Sequence, residues 1–185
     1  MGMMIRNGTD VVTFLHEQHQ DIEAAMRLVV TTHGVDRAGA FVALRRLLAV
    51  HETAEEEIVH PAARRALGNG ELIVSAHLHE EKMAKEVLAE LEKLDPESTA
   101  FETRFAALQA AVLVHAQSEE KSEFQALAAV LDAKRLERMR KAAEIAESLA
   151  PTRPHPGLES ATANVLVGPF AAMIDRTRDA LARKS

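Results

Sequence analysis

Residues 41–62 carry a single apolar stripe at helical spacing, and two ionisable side chains stand inside it. Leu44, Leu47, Leu48, His51, Glu55, Ile58 and Ala62 recur at the period of an α-helix, roughly 100° per residue. Glu55 falls near the middle of the stripe. Glu52 lies on its flank, Glu56 and Glu57 lie off it, and His60 points away. A carboxylate turned toward a core costs several kcal/mol unless it is paired or bound to a cation. Whatever fold this chain adopts must therefore bring a compensating group to Glu55.

The rest of the chain repeats the problem. A fourth amphipathic segment places Phe101, Phe105, Leu108, Val112, His115, Glu119 and Ala126 on one face. Again a histidine and a glutamate four residues apart occupy the apolar stripe, with no Lys or Arg in phase beside them. In a first segment Leu15, His19, Ile22, Met26 and Val29 line up, with His16 at the margin. In a third, His77, Glu81, Ala84, Leu88 and Leu91 share a face, while His79 falls on the side of Glu86, Glu90 and Lys93. Spacing of i,i+4 stacks side chains on one helical face, so that an imidazole and a carboxylate can meet one cation or two adjacent ones.

Punctuation delimits the helices. The first is predicted over 9–31, with Thr9 or Asp10 as N-cap and Gly34 just beyond its end. The second covers 36–66, stopped by the GNG at 68–70 and open to a kink at Pro61. The third covers 71–94, stopped by Asp95-Pro96; the fourth covers 98–131 and runs nearly unbroken into a fifth over 132–149. No run alternates with period two for long enough to make a strand. The fold expected is all-α: an antiparallel up-down four-helix bundle with a C-terminal helical extension. Residues 1–149 form the bundle domain, and APTRPHPG at 150–157 is a linker to a last helix that starts at Pro169 and presents Phe170, Met173, Ile174 and Leu181.

The stripes nominate six ligands: His19, His51, Glu55, His77, His115 and Glu119. Six are too many for one tetrahedral zinc, and suit two metals bridged by carboxylates about 3.5–4 Å apart. The nitrogen-rich set suits iron, though zinc, copper and nickel also accept imidazole. Phase alone leaves Glu81 open as a ligand, a partner of a ligand or a surface residue. His16 and His79 are expected at the surface, His16 with a further option of orienting a ligand carboxylate. Glu52 is expected to be a solvated charge. No role is expected for His33, His60 or His155, so that His60→Ala should change neither metal content nor stability.

The order His, His-x-x-x-Glu, His, His-x-x-x-Glu over four helices resembles the hemerythrin-like proteins of the HHE cation-binding family. EQHQDIEAAM, LLAVHETAEEEIVHPAAR and VLVHAQSEEKSEF carry the resemblance over residues 9–149, and the tail with APTRPHPG and ATANVLVGPF is similar to extended bacterial members. The resemblance implies a non-haem centre of two Fe ions, joined by an oxo or hydroxo group and by Glu55 and Glu119. The oxygen-carrying hemerythrins have a second histidine where this chain has Glu81. That difference weighs against simple oxygen carriage and toward reaction with O2, hydrogen peroxide or NO.

Composition narrows the partners. A net charge of -6 and an aromatic content of 3% argue against a nucleic-acid surface. The basic stretch KRLERMRK at 134–141 has Leu136 and Met139 at helical spacing and reads as an amphipathic helix. With no cysteine there is no disulfide and no thiolate ligand. No segment resembles a membrane span or a signal peptide, so a cytoplasmic protein is expected. The function expected is a di-iron protein that binds or consumes a small diatomic or peroxide ligand, with catalase-like peroxide disproportionation as its enzymatic form in oxidative stress. The alternative is an iron or oxygen sensor, or an iron buffer, in which metal occupancy controls helix packing and residues 158–185 carry the output.

Overall fold

The computed structural model describes residues 10–149. The linker at 150–157 and the helix expected after Pro169 lie outside the described residues. Helix α1 spans Val11–Thr31, α2 Gly34–Ala54, α3 His60–Ala66, α4 Gly70–Leu91, α5 Thr99–Glu119, α6 Gln125–Val130 and α7 Ala133–Leu149. A π turn over Glu55–Val59 joins α2 to α3, and another over Glu120–Phe124 joins α5 to α6. No strand occurs among the described residues. The bundle is all-helical as expected.

Local chemistry sets the ends. Asp10 caps α1 by accepting from Thr13 N at 3.0 Å, and Ser98 caps α5 by accepting from Phe101 N at 3.2 Å. At the corner between α3 and α4, a Cβ on Gly70 would stand 2.2 Å from the carbonyl oxygen of Ala63, so only glycine lets the two backbones meet there. The predicted fourth helix does not run unbroken into the fifth. Leu131 adopts an extended conformation, and the chain turns before α7.

Successive long helices run in opposite directions, α1 packing on α2 and α4 on α5. Their apolar residues separate into two clusters. One gathers Phe14 and Leu15 of α1, Ala54, Val59, Val74, Phe124 and Leu127, and takes in Leu136 and Met139 of α7. The other gathers Ile22 and Met26 of α1, Leu44 and Leu48 of α2, Leu88 of α4, and Phe105 and Val112 of α5. Along α1, α2 and α4 the stripe passes from one cluster to the other, and beyond α5 it does so at Phe124 in the second π turn. The histidines stand at the crossing: His19 between Leu15 and Ile22, His51 between Leu48 and Ala54, His77 between Val74 and Leu88, His115 between Val112 and Phe124. A polar layer thus lies across the bundle, closed above and below by hydrocarbon.

The π turns correct the assumption of one continuous helical phase. In the first, the His60 amide donates to Glu55 O, five residues back; in the second, the Gln125 amide donates to Glu120 O. Each inserts one extra residue, which advances the following side chains by roughly 100°. Pro61, expected to kink the helix, sits directly after the first π turn in the opening turn of α3, where its missing N–H costs least.

Candidate metal centre

The polar layer converges on two carboxylates. Glu55 and Glu119 are both fully buried. His51 Nε2 lies 3.3 Å from Glu55 Oε1, and His115 Nε2 lies 3.3 Å from Glu119 Oε2. His19 Nε2 reaches both acids, at 3.9 Å from Glu55 and 3.4 Å from Glu119. His77 Nδ1 stands 3.8 Å from Glu119 Oε1. Ligand-type atoms of His19, His51, Glu55 and Glu119 all fall within 4.8 Å of one another, as do those of His77, His115 and Glu119, and those of Glu55, Glu81, His115 and Glu119. The six residues nominated from the sequence, and Glu81 with them, are brought together in two halves that share Glu119 and Glu55.

Each of these four rings is held from behind. His19 Nδ1 pairs with Glu120 at 2.8 Å, His51 Nδ1 with Gln18 Oε1 at 2.8 Å, His77 Nε2 with Ser122 Oγ at 3.0 Å, and His115 Nδ1 with Glu80 Oε2 at 2.8 Å. One nitrogen of each ring therefore faces outward to a partner while the other faces the acids. This is the arrangement that orients imidazole for a metal. Phe124 stacks on His19 with 5.6 Å between centroids and fixes its plane. His16, expected at the surface, has an exposed side chain, and it joins the layer through Glu120 at 2.9 Å. His79 is exposed, as expected.

Several expectations are overturned. His60, read as pointing away, is 1% exposed. Its Nε2 lies 2.9 Å from Glu81 and its Nδ1 3.0 Å from Glu123, because the π turn rotates it inward. Glu123 had no place in the sequence reading, although it follows Glu119 at i,i+4 spacing; it is fully buried. With His60 and Glu119 it makes a further group whose ligand-type atoms lie within 4.8 Å of one another. Glu56, placed off the stripe, and Glu52, expected in solvent, are both buried. A lysine does stand beside the acids: Lys85 Nζ bonds Glu56 and lies 3.5 Å from Glu52 and 3.7 Å from Glu81. Lys85 follows His77 and Glu81 at i,i+4 spacing, a signal present in the sequence.

The donors fit a cation. Both oxygens of Glu55 and of Glu119, His19 Nε2 and His77 Nδ1 are buried without a hydrogen-bond partner, and all of them face the same space. Buried polar atoms are rarely left unpaired in this way. Six buried carboxylates (Glu52, Glu55, Glu56, Glu81, Glu119 and Glu123) meet one buried ammonium, Lys85. Burial, and then the neighbouring Glu119 charge, pushes the Glu55 carboxyl well above its usual range. Burial likewise raises Glu52 to about 7 and Glu56 to about 9 against the pull of Lys85. Burial opposes charge on Glu119 too, but the positive His115 and the hydrogen bond from the adjacent His19 ring outweigh it and hold its carboxyl below the ordinary range. His115 is raised to about 9: burial disfavours its charge, while Glu119 and Glu80 favour it more. Burial lowers His77, which leaves it a neutral donor.

The family model of the hemerythrin HHE cation binding domain matches residues 10–127. The chain belongs to that family. The match begins at the cap of α1 and ends in α6, so it spans every residue of the layer and stops before α7. Hemerythrin HHE domains bind cations, and this protein is accordingly a metal-binding helical bundle. Among solved structures, a hemerythrin HHE cation binding domain-containing protein from Mycobacterium kansasii superimposes with a TM-score of 0.68 over 76% of this chain and 86% of that one. Identity is 18%, so the likeness is one of fold. Among curated proteins none matches the chain. No helix among the described residues is long and apolar enough to cross a membrane.

Proposed function

We propose that the chain is a non-haem di-iron protein that binds and turns over a small oxidant, hydrogen peroxide first among O2, peroxide and NO. The observation that carries this reading is the pair of buried carboxylates, Glu55 and Glu119, with all four oxygens unpartnered between two sets of inward imidazole nitrogens. Charge supports bound cations: six buried carboxylates outnumber the cationic groups that face them, Lys85, His115 and a His60 that Glu81 and Glu123 raise well above its ordinary value against the cost of burial.

His19 and His51 would hold one ion and His77 and His115 the other, with Glu55 and Glu119 spanning both and Glu81 beside the second. Bound there, the pair would supply the electrons and the open coordination position that an oxidant needs. The protein contributes the surroundings. The two apolar clusters close the layer above and below and shield it from bulk water. Glu80 accepts a hydrogen bond from His115 Nδ1, and Glu120, paired with the exposed His16, holds His19, so both rings connect to solvent through a carboxylate. Lys85 holds positive charge beside Glu81 throughout. Peroxide disproportionation balances without an outside reductant: one molecule loses two electrons and two protons to give O2, and a second gains them to give two waters.

Oxygen release after peroxide addition, compared between iron-loaded and zinc-loaded protein, tests the reading. Sustained O2 release is expected from the iron form alone. Equal rates in the two forms would contradict it.

A further inference from the structure

Helix α7 lies beyond the segment that the family model matches, yet it packs on α1, on α2 and on the π turn that begins at Glu55. Leu136, Met139, Ala143 and Ala146 form its buried face. From its last turns Glu147 reaches Gln18, a side chain with no exposure at all. Gln18 Nε2 donates to Glu147 Oε1, and Gln18 Oε1 lies 2.8 Å from His51 Nδ1. His51 Nε2 in turn faces Glu55. Three side chains thus form an unbroken line from a helix outside the family domain to the metal layer.

The line has a direction. A carboxylate only accepts, so Gln18 must turn its NH2 toward Glu147. Its carbonyl then faces His51, and an amide carbonyl also only accepts. His51 must carry a proton on Nδ1, which leaves the Nε2 lone pair facing Glu55. With the amide reversed, Gln18 would donate to Nδ1 and drive the proton to Nε2, where it blocks the lone pair. We propose that Glu147 is a positioning residue: through Gln18 it fixes the tautomer of His51, and α7 thereby sets the cation affinity of the half of the centre built by His19, His51, Glu55 and Glu119. The inference rests on the di-metal reading of the site and adds to it a control held by α7.

The full chain is compared with E147Q, E147A and E147K. Glutamine at 147 still offers a carbonyl acceptor, alanine offers nothing, and lysine only donates and so reverses the amide. In metal-stripped protein, long-range 1H–15N spectra of histidine-labelled samples are expected to show His51 protonated at Nδ1 in the wild type and in E147Q, a mixture in E147A, and protonation at Nε2 in E147K. In titrations with Co2+ alone, E147K is expected to keep one tight equivalent and to bind the other about ten- to a hundredfold more weakly, with E147Q close to the wild type. Unchanged Nδ1 protonation in both E147A and E147K, or wild-type cobalt binding in both, overturns the proposal; E147A decides should E147K fail to fold. A wild-type chain that binds a single Co2+ counts instead against the di-metal reading, and the tautomer spectra still decide the role of Glu147.

Discussion

His60 Nε2 lies 2.9 Å from Glu81 Oε1, deep in the bundle and directly before a proline that an uninterrupted helix would resist. The contact exists because the π turn over Glu55–Val59 places one more residue between Glu55 and His60 than an α-helix would allow on that face. The same imidazole reaches Glu123 at 3.0 Å, inside the second π turn, so His60 ties together the two segments that follow Glu55 and Glu119.

Removing that ring leaves Glu123 buried without its donor and Glu81 with Lys85 alone. Loss of one partner from a buried pair costs about 3–5 kcal/mol. His60→Ala is expected to lose that much stability in urea unfolding with chelator present, and His60→Gln, with a single donor group, to fall between it and the wild type. An unchanged midpoint would contradict the inward placement of His60.

His60 also marks where the sequence stopped being legible. His19, His51, Glu55, His77, His115, Glu119 and Glu81 fall on inward faces at a fixed helical phase, because each lies before a π turn, at its first residue or on a helix without one. His60 lies beyond the first turn, and a fixed phase sends it outward; Glu123, four residues past Glu119, stays on the stripe at a fixed phase and had its signal in that spacing. Pro61 was the available warning, since it forbids an ordinary α-helical hydrogen bond at its position. Lys85 was overlooked for a different reason: eight residues past His77, it continues the stripe of α4, but a lysine is read by default as solvated. Gln18 was invisible because an uncharged amide beside His19 gives no signal of its own. Helix number and direction were legible, since caps, glycines and prolines mark the ends.

Lys85 is the counterion of Glu52, Glu56 and Glu81. Lys85→Met keeps the stem and deletes the charge. At pH 8 it is expected to destabilise the protein by about 3 kcal/mol. At pH 6 the loss should be smaller, because Glu52, raised by burial to about 7, then carries a proton and needs no counterion, whereas Glu56, raised to about 9, holds its proton at both pH values. Equal losses at the two pH values, read from chemical denaturation, would rule out this pairing.

Glu55→Gln removes a charge that is tolerated only beside a cation. Burial and Glu119 keep the Glu55 carboxyl protonated in metal-stripped protein, so the isosteric amide should leave its thermal midpoint unchanged or slightly raised. The rise in midpoint that metal brings to the wild type should be lost. A variant whose midpoint still climbs with added iron would show that Glu55 is not needed for binding.

Stability and metal affinity should move in opposite directions with pH. His115 and Glu56 are both raised to about 9 in the folded chain, so the folded state holds protons that the unfolded state has released. Their stabilising contribution is complete below the unfolded values and is lost as pH climbs to about 9. For His115 alone the shift from 6.5 to about 9 corresponds to about 3 kcal/mol. The metal-stripped protein should therefore melt at a lower temperature at pH 9 than at pH 6.5. Metal competes for the His115 and Glu55 protons, so affinity should increase over the same interval. Calorimetry in buffers of different ionisation enthalpy should detect proton release on binding; its absence would contradict the assignment of His115.

Iron content after anaerobic loading with Fe2+, measured beside a Glu55→Gln/Glu119→Gln double variant, tests the central claim most directly. Two buried acids that are stable only between a pair of cations predict two iron ions per wild-type chain and none held tightly by the double variant. A single ion in the wild type, or two ions retained when both carboxylates have become amides, would contradict it.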